Sequence, residues 1–212
     1  MSKANPGRPC DPALAQRRRE EILNAAITHF ARFGFPHADL DAIAEEAGCA
    51  KGTLYRYFES KRDLFHQSVD YVMRGLLAAT SSPDNEDPIR KIEHGVRAYL
   101  AYFDAHPQYI ELLMQERAEF KDRHEPTYSQ YRHDSREQFK TLLRELIRAG
   151  RFRRVSTDLV MNVVGNLLYG TIFTNHFAGR TKTLEEQADD VLDVLFLGLL
   201  SPDEANRRRR KH

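Results

Sequence analysis

The stretch from Asp39 to Lys61, DLDAIAEEAGCAKGTLYRYFESK, constrains this chain more than any other. Ile43, Ala44 and Ala47 repeat at helical spacing, and Gly48 tolerates a positive φ where a short helix must stop. Leu54 and Phe58 then resume an apolar face four residues apart. The pattern predicts two short helices meeting across a tight turn. Ala44 is small enough to let them approach, and Leu54 anchors the second. The outer surface of that second helix then carries Lys51, Gly52, Thr53, Tyr55, Arg56 and Tyr57, groups that can donate hydrogen bonds to DNA.

Composition sets limits on that reading. The chain has 212 residues, 41% hydrophobic and 30% charged, enough for a small domain and a larger one with its own core. No apolar run approaches the roughly 20 residues of a membrane span, and no secretory signal is expected. Cys10 and Cys49 give no disulfide framework and suit a reducing cytoplasm. A net charge of only +1 argues against a protein that coats nucleic acid, so affinity for DNA has to come from locally placed charge.

The run IAEEAGCAKGTLYRYFESKRDLF resembles the DNA-binding signature of TetR-type transcriptional regulators. The likeness extends upstream through EEILNAAITHFARFG and covers about the first third of the chain. Two positions depart from the family pattern. Ala50 stands where the family carries Ser or Thr, so the second helix lacks a side-chain cap, a loss of about 1 kcal/mol. Asp39 stands where a hydroxyl residue is common; it can cap the first helix, but its carboxylate would repel a phosphate.

Taken in order, residues 1–15 read as a flexible arm whose Gly7-Arg8-Pro9 resembles a minor-groove arm. Arg17, Arg18 and Arg19 open a first helix, with Ile22, Ala26, Ile27 and Phe30 as its core stripe, and either meet phosphates or form a solvated charge run. Ser60 with Asp63 starts a fourth helix. Asp87-Pro88 starts another that ends at His106-Pro107, and helices are expected over 108–120 and 127–149 with Gly150 as terminator. Gly165 and Gly170 interrupt the helix 157–177, which predicts close approach of another backbone. Thr183 and Glu186 form a capping box for a last helix, 184–200. Its wide apolar face predicts pairing with the same helices of a second subunit. Residues 201–212 form a basic tail.

No catalytic or phosphate-loop motif is present, and the two cysteines lack metal spacing. Clustering of His124 and His133 with Glu116, Glu119 or Glu125 around a metal is set aside in favour of surface histidines. The expectation is an all-α protein: an N-terminal three-helix helix-turn-helix domain over 16–62, and a larger C-terminal helical ligand-binding and dimerisation domain over 63–200. The resemblance implies a non-enzymatic, cytoplasmic, homodimeric regulator of a palindromic double-stranded operator, most simply a repressor released by a small apolar or aromatic effector. Neither cofactor, metal nor membrane is involved. Carried over by motif, Gly52, Thr53 and Tyr55 face bases, Lys51, Tyr57 and Lys61 meet phosphates, and Arg56 serves either role. Aromatic density nominates Tyr99, Tyr102, Phe103, Met114, Phe120, Tyr128 and Tyr131 for the effector. The alternatives are a ligand-independent architectural DNA protein on the same fold, or an enzyme using the helical cavity.

Overall fold

A computed structural model describes residues 11–83, 85–134, 136–178 and 182–198. Among them the secondary structure is helical, without a strand. The Gly7-Arg8-Pro9 arm, Cys10 and the basic tail lie outside the described residues, as do Leu199 and Leu200 of the expected last helix. The helices group into two compact units, one formed by residues 11–74 with Glu111–Tyr128, the other by Gly75–Ile110 with residues 129–198.

The first unit begins with α1 (Pro12–His37), so the last residues assigned to the arm are helical. Asp11 caps this helix by accepting from the Ala13 amide at 3.0 Å, and Pro12 occupies a first-turn position where no amide is needed. Its stripe is buried as expected: Ile22, Leu23, Ala26 and Phe30 are fully enclosed. Gly34, at φ 78°, sets off the last turn and brings Phe35 into the core. Then come α2 (Leu40–Glu46), α3 (Lys51–Tyr57) and α4 (Lys61–Thr80), whose first part belongs to this unit. Ser60 Oγ accepts from the Asp63 amide and Asp63 Oδ2 accepts from the Glu59 amide, both at 3.0 Å, a capping box displaced by one residue. The core is aromatic. Phe65 lies edge-on to Phe30 and Phe35, with centroids at 5.0 and 5.4 Å, and Phe120 packs on Phe35 and Phe65 at 4.8 and 5.0 Å.

Phe120 arrives with the end of α6 (Pro107–Glu119) and the turn that leads to α7 (Thr127–Asp134). This corner is held by a buried carboxylate. Glu116, 1% exposed, accepts from Arg123 Nη1 at 2.6 Å, from the Thr127 hydroxyl and from the Thr127 amide. Three donors compensate a charge that burial alone would make very costly. Arg123 also lies 3.3 Å from His66 Nδ1, and His66 has its pKa lowered first by burial and then by Arg123 and Arg62.

The second unit is built around α5 (Pro88–Ala105), which packs against α8 (Arg136–Arg148), α9 (Thr157–Ala178) and α10 (Leu184–Leu197). α5 starts at Pro88 as expected; Asp87 caps it through the Ile89 amide at 3.0 Å and also pairs with Arg151. Thr183 and Glu186 make a complete capping box on α10. Val96, Leu100, Phe103, Leu146, Ile172 and Leu192 form the interior. A polar ladder joins α7 and α8 to α9: Arg132 to Asn166, Arg136 to Asn162 and Asp158, and Lys140 to Asp158, at 2.8 to 3.1 Å. The two Gly residues of α9 differ from each other. A Cβ on Gly165 would collide with the Arg132 guanidinium, so a side chain rather than a backbone takes up that space, and Gly170 has open space around it.

Removing one partner of a buried pair strands the other charge. Arg123→Ala is therefore expected to lower stability by about 3 kcal/mol, measured by urea unfolding, while an exposed control such as Arg17→Ala changes it by under about 0.5 kcal/mol.

Candidate DNA-binding surface

The two short helices of the first unit hold each other and are held from below. Asp39 caps α2 through the Asp41 amide at 2.9 Å. Gly48 takes φ 63°, and the Cys49 amide reaches back to the Ala44 carbonyl at 2.9 Å, closing the turn. The first-helix arginines secure the same corner. Arg18 donates to the Ala47 carbonyl at 3.0 Å, satisfying an orphan carbonyl at the end of α2, and Arg19 bonds Gln67 while stacking over Phe58 at 5.4 Å. Arg18 and Arg19 thus serve the fold; Arg17 stays exposed.

α3 starts on Ala50 without a side-chain cap, as its sequence predicts. Leu54 is fully buried and Phe58 is 1% exposed, which fixes the rotation of the helix about its axis. Lys51, Gly52, Tyr55 and Arg56 are exposed on the opposite face, with Thr53 and Tyr57 half-buried at its edges. Tyr55 and Arg56 have no hydrogen-bond or ion-pair partner among the described residues. A Cβ on Gly52 would touch nothing within 4 Å, so packing inside the chain does not require glycine there.

The two lysines are differently placed. Lys51 Nζ sits 2.7 Å from Asp41 Oδ2, and this hydrogen bond is the first cause of its raised pKa. Lys61 Nζ donates to the Pro36 carbonyl at 3.0 Å and lies over the Phe35 ring at 5.2 Å; partial burial lowers its pKa. Sequence reasoning missed the Asp41–Lys51 pair and the Arg18 cap. Both join residues on different helices, where periodicity carries no signal.

The seven residues nominated for an effector divide between the units. Tyr99, Tyr102 and Phe103 lie together in the second, where Tyr99–Phe103 and Tyr102–Phe103 centroids are 5.2 and 5.6 Å apart and Tyr109 joins Tyr102 at 5.5 Å. The Tyr102 hydroxyl lies where a Cβ on Gly75 would be. Tyr131 is half-buried in the same unit. Met114, Phe120 and Tyr128 belong to the first unit, where Phe120 is 5% exposed and embedded in the ring cluster beside His66. Among the described residues, no three His, Cys, Asp or Glu side chains gather as a metal site, and no helix is long and apolar enough to cross a membrane.

Comparison with known proteins agrees with this geometry. Residues 22–67 match the bacterial regulatory proteins of the tetR family, and residues 85–198 match the tetracyclin repressor-like C-terminal domain. The HTH-type transcriptional repressor SCO4008 of Streptomyces coelicolor is 36% identical over 110 residues, 52% of this chain and 53% of that protein. The chain thus spans about half the length of that curated relative. In three dimensions the chain is similar to the fatty acid degradation regulator FadR from Bacillus halodurans, with TM-score 0.72 and 18% identity over 91% of this chain and 97% of that one. It is also similar to the transcriptional regulator FadR from Bacillus subtilis in complex with stearoyl-CoA, with TM-score 0.66 and 18% identity over 85% and 99%. The anchoring of α3 by Leu54 and Phe58 fits these matches, and the C-terminal match alone spans more than half of the chain, so this protein belongs to the tetR family of bacterial regulatory proteins.

Proposed function

We propose that this chain is a cytoplasmic, homodimeric transcriptional repressor that binds a palindromic operator and leaves it when a small, largely apolar ligand binds. The observation that carries the reading is the α3 surface. Tyr55 and Arg56 project from a helix whose opposite face is locked by Leu54 and Phe58, and Gly52 leaves room beside them for another molecule. Rigid presentation of a few donors on a short helix is what a major groove requires. In this reading Gly52, Thr53 and Tyr55 face bases, Arg56 reads a base or a phosphate, and Lys51, Tyr57 and Lys61 hold the backbone. Residues 16–62, the expected DNA-binding domain, lie within the first unit, while the expected ligand and dimerisation domain over 63–200 draws its described residues from both units.

Dimerisation is supported by the outer face of α9. Leu159, Val163 and Leu167, four residues apart, are 54%, 56% and 39% exposed, and Phe177, Val194 and Leu197 add to the apolar surface of α9 and α10. The polar ladder from α7 and α8 occupies a different side of α9 and leaves this stripe outward. A twofold pairing of these helices would bury it. The effector reading rests on Tyr99, Tyr102 and Phe103 in the second unit, with Met114, Phe120, Tyr128 and Tyr131 as further candidates. A neighbour of the same fold holds stearoyl-CoA, a ligand with a long apolar part.

Selection from random duplexes should return one palindrome with half-sites about one helical turn apart. Arg56→Ala is then expected to cost about 1–3 kcal/mol on that palindrome and much less on random sequence. Lys61→Ala should weaken both alike and flatten the salt dependence of log K by about 0.9; equal loss on both sequences for Arg56→Ala removes it from the base-reading set.

Val163→Asp together with Leu167→Asp should convert a dimer to a monomer in light scattering and lower operator affinity by on the order of 10²-fold or more, since two linked heads then become one. A wild-type monomer at micromolar concentration ends the dimer reading.

Long-chain acyl thioesters and aromatic acids, screened by thermal shift, should include compounds that stabilise the protein and also release a labelled operator. A hundredfold preference for the non-binding conformer corresponds to about 2.7 kcal/mol per site. Stabilisation without release at saturation would leave a binding protein without a switch.

A further inference from the structure

The polar face around α3 is not the basic surface that duplex DNA usually selects. Between Asp39 and Lys61 there are five acidic residues (Asp39, Asp41, Glu45, Glu46 and Glu59) and three basic ones (Lys51, Arg56 and Lys61). Two of those cations are engaged within the chain, Lys61 on the Pro36 carbonyl and Lys51 on Asp41. The α2 cap does not need the Asp41 carboxylate, because the Asp39 side chain accepts from the Asp41 amide. Among the described residues the hydrogen bond of the Asp41 carboxylate goes to Lys51, 2.7 Å away, and both side chains are open to solvent at 63% and 45% exposure.

We propose that Asp41 is a specificity-determining residue: its carboxylate occupies the Lys51 ammonium as an internal substitute for a phosphate and withholds it from DNA that lacks the operator. This rests on the reading of α3 as the recognition helix. Phosphate contacts are independent of sequence, so a freely available Lys51 would strengthen binding everywhere. An exposed ion pair is held weakly and yields where a competing anion is fixed in place. On an operator, base contacts by Tyr55 and Arg56 would hold one register, and a phosphate beside Lys51 persists long enough to replace Asp41. On random sequence no register is held. Asp41 then keeps Lys51 and also repels the backbone, so the pair suppresses the competing sites that vastly outnumber an operator.

The test is a double-mutant cycle on the full chain: wild type, Asp41→Asn, Lys51→Gln and the double variant, each titrated against a labelled random duplex and the selected palindrome at several salt concentrations. Asp41→Ser repeats the charge removal should the Asn variant fold poorly by circular dichroism. Freeing one phosphate contact should tighten random-duplex binding by about eightfold near 0.1 M salt and steepen its log-log slope by about 0.9. The palindrome should gain less, so the ratio between the two falls, and the gain should vanish when Lys51 is already Gln. Unchanged random-duplex affinity and slope overturn the proposal, as does a gain that persists without Lys51, which would be bulk charge. A wild type that binds no duplex overturns the recognition-helix reading and this proposal together, whereas a binding wild type with an inert Asp41→Asn overturns only the latter.

Discussion

A helix of seven residues cannot hold itself together in water, because nucleation costs more than so few hydrogen bonds return. α3 also starts without a side-chain cap. It exists because Leu54 and Phe58 are buried, and full burial of such side chains stabilises by about 1.5–3 kcal/mol each. The same two side chains decide which residues face outward. Stability and orientation of α3 are thus one constraint, and any change that loosens the core beneath it would also turn Tyr55 and Arg56 from their present directions.

That core draws on distant parts of the chain. Phe30, Phe35 and Phe65 come from the first 74 residues, but Phe120 comes from a corner between α6 and α7 and packs edge-on against Phe35 and tilted against Phe65. The corner keeps its form through a buried carboxylate, Glu116, surrounded by Arg123 and Thr127. A small three-helix head buries too little surface to be robust alone, and a segment from later in the chain supplies part of the missing interior. It also means that a movement within residues 111–128 acts directly on the packing of the unit that carries α3.

Charge is distributed with similar economy. Arg18 and Arg19, part of a basic run within α1, are engaged by the Ala47 carbonyl and by Gln67 and Phe58. Lys61 is partly desolvated against Pro36 and Phe35. The cation of α3 that remains outward and unpaired among the described residues is Arg56, so in the proposed reading few groups discriminate sequence and nonspecific attraction stays low.

Local sequence is enough to specify the helical class, the α2–turn–α3 unit, the Asp87-Pro88 start and the Thr183–Glu186 capping box. Each follows from neighbours within one or two turns: apolar spacing of three and four, Gly48 at a left-handed position, a hydroxyl or carboxylate before a helix. Which distant groups meet is set by packing in three dimensions. No local pattern announces that Lys51 faces Asp41, that Arg18 ends α2, that Gly165 makes room for the Arg132 guanidinium, or that Phe120 completes the core of the first unit while Phe103 lies in the second. The aromatic residues of the middle helices looked alike in sequence because burial in a core and burial around a ligand select the same side chains. Their partition follows from how the chain packs, and packing joins residues through space, where the period of a single helix holds no information.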